Sequence, residues 1–188
     1  AVSGVVHIAT RRGDGPPRFS FLTEGGSFTT QRLSAGASGL TRGLSWAFNL
    51  SRLDSGGVVP NDQYHNQNAF LSLGYGQGPR RQLWFHLFGD ANNAGAPGPR
   101  GSDPLGLRPP LDRISRNKQN LFGYQVHYAE QLATRLRQAV TASLATNDYY
   151  FHSPFGDSFS NNLRATVNTR SEVSVSNKDF LVAGFEYN

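Results

Sequence analysis

Apolar and polar residues alternate along most of this chain, the pattern of a strand with two unlike faces. In Gly43–Asp54, Leu44, Trp46, Phe48 and Leu50 fall on one face and Ser45, Ala47, Asn49 and Ser51 on the other. In Asn68–Gly76, Ala69, Leu71, Leu73 and Tyr75 oppose Ser72 and Gly74. Leu121–Glu130 sets Phe122, Tyr124, Val126 and Tyr128 against Gly123, Gln125 and His127. Thr134–Thr146, Asn162–Arg170 and Phe180–Tyr187 repeat the pattern with Leu136, Val140 and Leu144, with Leu163, Ala165 and Val167, and with Leu181, Ala183 and Phe185. Only Gln82–Asp90 is bulky on both faces. There Leu83, Phe85 and Leu87 alternate with Trp84, His86 and Phe88, and the leucine face is expected to point outward. With the segments around Phe19–Glu24 and Gln31–Arg32, the pattern predicts an all-β, antiparallel up-and-down meander of about nine strands.

The gaps carry a second signal. Gly39–Gly43, Gln77–Arg81, Gln131–Ala133 and Ser174–Asn177 are short, whereas Ser55–Gln67, Ala91–Asn117 and His152–Ser158 are longer. Short turns at one end and longer loops at the other suit a transmembrane β-barrel. The polar face favours Ser, Thr, Asn, Gly and Gln over Lys and Glu, as a lumen packed around an inserted domain would. Aromatic residues near strand ends (Phe19, Tyr75, Tyr128 and Tyr149–Phe151) fit an interfacial girdle. On this reading Leu44, Trp46, Phe48, Leu50, Leu71 and Leu73 face lipid. A soluble β-sandwich has the same period and is the competing fold.

Composition narrows the field. The 188 residues have a mean hydropathy of −0.46, and no apolar window is long enough for a membrane helix. Cysteine is absent, which removes disulfides and thiolate metal sites. Methionine is absent too, and no leader pattern is seen, so the chain is expected to be a processed or excised piece of something larger. The net charge is +5, but its 18 basic residues are scattered rather than striped with aromatics, so nucleic acid is not an expected partner. Arginines at strand ends and in loops instead suit lipid headgroups, lipopolysaccharide phosphates or an anionic ligand.

The head of the chain, Gly4-Val5-Val6-His7-Ile8-Ala9-Thr10-Arg11-Arg12-Gly13, resembles the closing strand of the plug domain in TonB-dependent outer-membrane receptors. The segments after Gly13 are similar to that family in order and spacing. Phe19–Glu24 would be the first barrel strand, and Gly26-Ser27-Phe28-Thr29-Thr30-Gln31-Arg32 the first hairpin. Asn93-Ala94-Gly95-Ala96-Pro97-Gly98 resembles the third extracellular loop, and Leu181–Tyr187 carries the family's Gly-aromatic-Glu-aromatic pattern. The resemblance implies that residues 1–13 end the plug and residues 14–188 form the N-terminal portion of a barrel of about 22 strands. It also implies a location in the bacterial outer membrane and active uptake of a scarce, bulky nutrient of the ferric siderophore, haem or cobalamin class. The partners would be the TonB complex, outer-membrane lipid and lipopolysaccharide, and a small-molecule or metal-chelate substrate. A TonB box, the body of the plug and a terminal aromatic residue are missing; Asn188 follows Tyr187.

Candidate chemistry is sparse. His7, His65, His86, His127 and His152 form no spaced ligand pair, so no metal site or cofactor is expected. Gly13-Asp14-Gly15 and Gly74–Gly78 precede no helix, which removes a phosphate cradle. His152, Ser153, Ser160, Asn161 and Asn162 are similar to the His/Ser/Asn set of outer-membrane phospholipases but lack strand register, so no catalytic residue and no enzymatic role are expected. Ala91–Asn117, with five prolines at 97, 99, 104, 109 and 110, has the length of a functional loop. Ligand binding is expected at Tyr64, His65, Arg100, Tyr149, Tyr150 and His152, because aromatics and Arg dominate binding anchors. A smaller outer-membrane barrel enzyme and a soluble sandwich-type binding module are the alternative readings.

Overall fold

The computed structural model describes residues 13–76, 78, 80–98, 111–176 and 179–188. The plug-like stretch up to Arg12, and Arg100, lie outside the described residues. Nine strands follow one another: β1 (Arg18–Gly26), β2 (Thr30–Thr41), β3 (Leu44–Ser55), β4 (Tyr64–Tyr75), β5 (Arg81–Gly95), β6 (Arg116–Ala133), β7 (Leu136–Ser153), β8 (Gly156–Ser174) and β9 (Phe180–Tyr187). They form one sheet in chain order, each antiparallel to the next, so the all-β meander holds. β1 and β9 are its two edges among the described residues.

Residues 42–43, 76–80, 134–135 and 175–179 connect the strands at one end, hereafter the turn end. At the loop end the connections are 27–29, 56–63, 96–115 and 154–155. Arg42 and Gly43 both have positive φ, 51° and 81°, as the two-residue turn that matches strand twist requires. The first hairpin closes where expected: Thr30 N–H donates to the Ser27 carbonyl at 3.1 Å. One gap is corrected. His152–Ser158 is not a longer connection, because β7 and β8 pair up to Ser153 and Gly156 around Pro154-Phe155. The loop-side strands run on past their apolar repeat because the polar residues there, such as Tyr149, Tyr150 and Asn161, still pair across the ladder.

Register assembles the repeats into two continuous faces. On one, Phe48, Leu71, Leu87, Tyr124, Leu144 and Ala165 stand in a single row across β3 to β8. The adjacent row is Trp46, Leu73, Phe85, Val126, Ala142, Val167 and Tyr187. Leu44, Trp46, Phe48, Leu50, Leu71 and Leu73 share this face. It ends on polar rows: Arg52, Gln67, Ala91, Asn120, Asp148 and Asn161 toward the loops, and Arg81, Glu130, Gln138 and Ser171 toward the turns. The ten residue steps from Asn120 to Glu130 span about 34 Å of extended strand, or about 26 Å along the normal at a tilt of about 40°.

The opposite face holds Asn49, Phe70, Phe88, Gly123 and Ala145 in one row, and Gly74, Trp84, His127, Thr141 and Asn168 in another. Two of its large rings are seated on glycines. A Cβ at Gly74 would collide with the Trp84 ring, and one at Gly123 with the Phe88 ring, so only glycine leaves room for either. Trp84 and His86 rings lie parallel within 4°, and Phe70 stacks on His86 at 6.2 Å between centroids. Bulk on both sides of β5 is thereby accommodated, with Leu83, Phe85 and Leu87 on the apolar face. The stretch Gly13–Pro17 reaches this second face at the turn end: Ser45 Oγ donates to the Gly13 carbonyl at 2.6 Å, and Leu40 N–H to that of Gly15 at 2.8 Å.

Burial is inverted relative to a water-soluble sheet. Ser45, Ser72 and Trp84 on the polar face are buried, while Leu50, Tyr75 and Phe185 on the apolar face are more than half exposed.

Candidate recognition surface at the loop end

The polar face is tied together by side-chain amides and hydroxyls. Asn49 donates to Ser34 Oγ at 3.2 Å; Ser51 donates to Asn68, Asn68 to Asn66, and Asn66 to Asp90 Oδ2 at 2.8 Å. Further along, Asn92 donates to Gln119 and Gln119 to Asn147, at 3.3 and 2.9 Å. The Tyr149 hydroxyl donates to Asn117 Oδ1 at 2.6 Å. Each amide has two donors and two acceptor lone pairs, so these lateral bonds leave capacity for a ligand. This wall offers neutral hydrogen-bonding groups, with Asp90 as the carboxylate among them.

Above it, the loops brace one another. Asn61, in a left-handed conformation at φ 62°, donates through Nδ2 to the carbonyls of Asp112 at 3.1 Å and Ser115 at 2.9 Å. Gly95 N–H donates to the Gln63 carbonyl, Ala96 N–H to that of Ser115 and Asp112 N–H to that of Pro97, which closes the neck of the longest connection. Gly56 N–H donates to the Phe28 carbonyl and couples the first hairpin to the next loop. Asp112 accepts from the Ser115 hydroxyl and from the amides of Ser115 and Ile114, both at 2.8 Å. Those donors, the Ser115 hydroxyl first, hold its carboxyl below the ordinary range.

The expected anchors do not form one cluster. Tyr64 and Tyr149 stand on the polar face, in rows with Ala94 and Gln119 respectively. His65, Tyr150 and His152 share the apolar face's polar extension, on β4 and β7. There His65 Nδ1 and Asp54 lie 2.7 Å apart, and Arg52 donates to the same carboxylate. In the β7–β8 hairpin the Tyr150 hydroxyl donates to Asp157 at 2.6 Å, and His152 Nδ1 sits 2.6 Å from it. Tyr150 and His152 together hold the Asp157 carboxyl below its usual range.

Ser153 Oγ donates to the Gly156 carbonyl, and Phe155 N–H donates to Ser153 Oγ, so this hydroxyl organises the turn. Ser160 pairs with Tyr149 in the ladder, on the opposite face from His152. Among the described residues, no group of three His, Cys, Asp or Glu side chains is placed to hold a metal ion. The Asn61 brace escaped sequence reading because its partners lie more than 50 positions away; the Asp-x-x-Ser spacing of Asp112 and Ser115 was its local trace.

No protein-family model, curated protein or solved structure matches this chain.

Proposed function

We propose that these nine strands are part of an outer-membrane β-barrel receptor of the TonB-dependent kind, which binds a scarce, bulky nutrient at its loop end and passes it inward. The observation that carries this reading is the inverted sheet: a continuous apolar band, exposed and close to a bilayer in height, backs onto a face of amides and hydroxyls. In lipid such a band is solvated by acyl chains and needs no second layer. A sandwich would need a second sheet over the same band, and the described strands all belong to one.

The two edges, β1 and β9, would be untenable in hydrocarbon and would be met by further strands of the barrel. The arrival of Gly13–Pro17 on the amide face supports a domain preceding the strands on the lumen side, where a plug would sit and where the TonB complex would act on it. The ligand would meet the braced loops and the Asn/Gln wall, with Tyr64 and Tyr149 as the lumen-side anchors. The cargo classes remain those that the family resemblance implies: ferric siderophore, haem or cobalamin.

The test is extraction and mass. The native protein is expected in the outer-membrane fraction, resistant to salt and alkaline washes, with a heat-modifiable gel mobility. Its intact mass should be three to four times the 20.5 kDa of these residues. A washed, detergent-free soluble protein near 20.5 kDa would overturn the reading.

A further inference from the structure

We propose that the apolar face carries a lipid site: a groove that takes one acyl chain of an anionic, phosphate-bearing lipid, with the phosphate seated at Arg52. This rests on the outer-membrane reading, in which the face meets a bilayer, and adds a defined ligand position to it. The groove is a depression of about 660 Å³ across β1–β6. Its floor consists of the small residues Ala35, Ala69, Gly89 and Ala91, and Phe21 and Leu50 rise as walls. Ala69 and Gly89 are directly paired, and Gly89 is paired on its other side with Phe122, so the floor drops between two bulky neighbours, Leu50 and Phe122. Among the described residues, none packs into the space. A chain of methylenes would replace the missing side-chain contacts.

The position of the groove selects an amphiphile. It begins within the apolar band and opens at the first polar row, where Arg52, Gln67 and Asn120 line it. That row is the level at which a bilayer changes from acyl chain to headgroup. The Arg52 side chain is 57% exposed there. It spends one Nε and one Nη2 donor on Asp54, at 2.5 and 3.2 Å, which leaves three of the five guanidinium N–H groups for a phosphate. Asp54 also lies 2.7 Å from His65 Nδ1, so the carboxylate has a second partner beside Arg52. An uncharged amphiphile would fill the floor equally well but would gain nothing from this cation.

Native mass spectrometry of the full-length protein in detergent, titrated with dimyristoyl phosphatidylglycerol or with dimyristoylglycerol, which has the same chains and no phosphate, tests the site. One phosphatidylglycerol should be retained, about tenfold more tightly than the uncharged diacylglycerol. Gly89→Leu should abolish that retention. A Cβ at Gly89 meets nothing nearer than the Phe122 ring at 3.9 Å, so the first carbon of the added side chain enters the groove without a clash. Ala91→Leu serves as a second filling variant if Gly89→Leu does not fold. Arg52→Gln should bring phosphatidylglycerol down to the level of the diacylglycerol. Equal retention of the two lipids by the wild type, or undiminished retention by the filling variants, would overturn the groove while leaving the barrel intact. A protein that is monodisperse without detergent would instead overturn the membrane reading itself.

Discussion

The two faces of this sheet solve the same problem, stabilising nine long strands, by different means. The apolar face relies on rows of Leu, Val, Phe and Tyr that run unbroken across β3 to β8. The other face relies on lateral hydrogen bonds between Asn, Gln and Ser, and on rings laid over glycines. Each solution suits one surrounding. On the membrane reading, rows of apolar side chains meet hydrocarbon and tolerate loose lateral packing, because lipid would fill the gaps. Amide ladders and ring-on-glycine joints need fixed partners and suit a wall that faces polar matter. The difference teaches that face identity, rather than strand identity, is the unit in which this chain is written.

The largest expected effect comes from placing the same cation on each face at adjacent positions. Phe48→Arg puts a guanidinium in the apolar band and should cost about 2–4 kcal/mol of insertion stability. Asn49→Arg, one residue on, points to the other face beside an opening of about 170 Å³ and should insert nearly as well as the wild type. Refolding yield into lipid vesicles, read by heat-modifiable gel mobility, measures both. Equal losses would erase the distinction between the faces. A smaller effect is expected within the amide face. Gly123→Val drives a side chain into the Phe88 ring and against the Leu144 carbonyl, an overpacking cost of about 1–3 kcal/mol. Urea midpoints in vesicles should fall for Gly123→Val and recover in part in Gly123→Val/Phe88→Ala. No recovery would mean that the joint is not what the glycine serves.

Much of the two-faced order is legible in sequence, because a period of two fixes which residues share a face before any partner is known. That is why Leu44, Trp46, Phe48 and Leu50 could be grouped with Leu71 and Leu73. β5 is ambiguous for the opposite reason: Trp84, His86 and Phe88 match Leu83, Phe85 and Leu87 in bulk. What separates the two sets is the glycine across each ring, Gly74 and Gly123, and that is a fact of register rather than of local pattern. The loop-end residues fail differently. Above the apolar band the alternation loses its hydrophobic marker, so the β7–β8 hairpin looks like a longer loop until the ladder is seen. Tyr149 and Tyr150, neighbours in one strand, necessarily stand on opposite faces, and the expected anchors divide accordingly.

The contrast between faces stops at the loop end, where Asn61 joins two connections by hydrogen bonds alone. Asn61→Gly keeps the positive φ available and removes only the amide. Two bonds at about 0.5–1.5 kcal/mol each predict at least a several-fold rise in the exchange rate of the Ala96 and Asp112 amides, with strand amides unchanged. Unchanged exchange at both would show that the backbone bonds hold the neck alone.

The smallest effect is one of pH, at Asp112. The Ser115 hydroxyl and the amides of Ser115 and Ile114 stabilise its carboxylate, so its pKa in the folded loop lies below that of the unfolded chain. A depressed carboxyl pKa contributes order that is fully present above the unfolded value, about 4, and is lost as pH falls through the folded value. Protection of the Ile114 and Ser115 amides, corrected for intrinsic exchange, should therefore stay level from neutral pH to about 4 and decline only below it. In Asp112→Asn the protection should be lower and flat over the same range, because a neutral amide oxygen still accepts but no longer titrates. A wild-type decline centred above pH 4 would place the responsible group elsewhere. Asp157, held low by Tyr150 and His152 at the neighbouring hairpin, would lose its carboxylate over a similar acid range. Following both hairpins in one titration would separate them, since Asp112→Asn should flatten only the loop between β5 and β6.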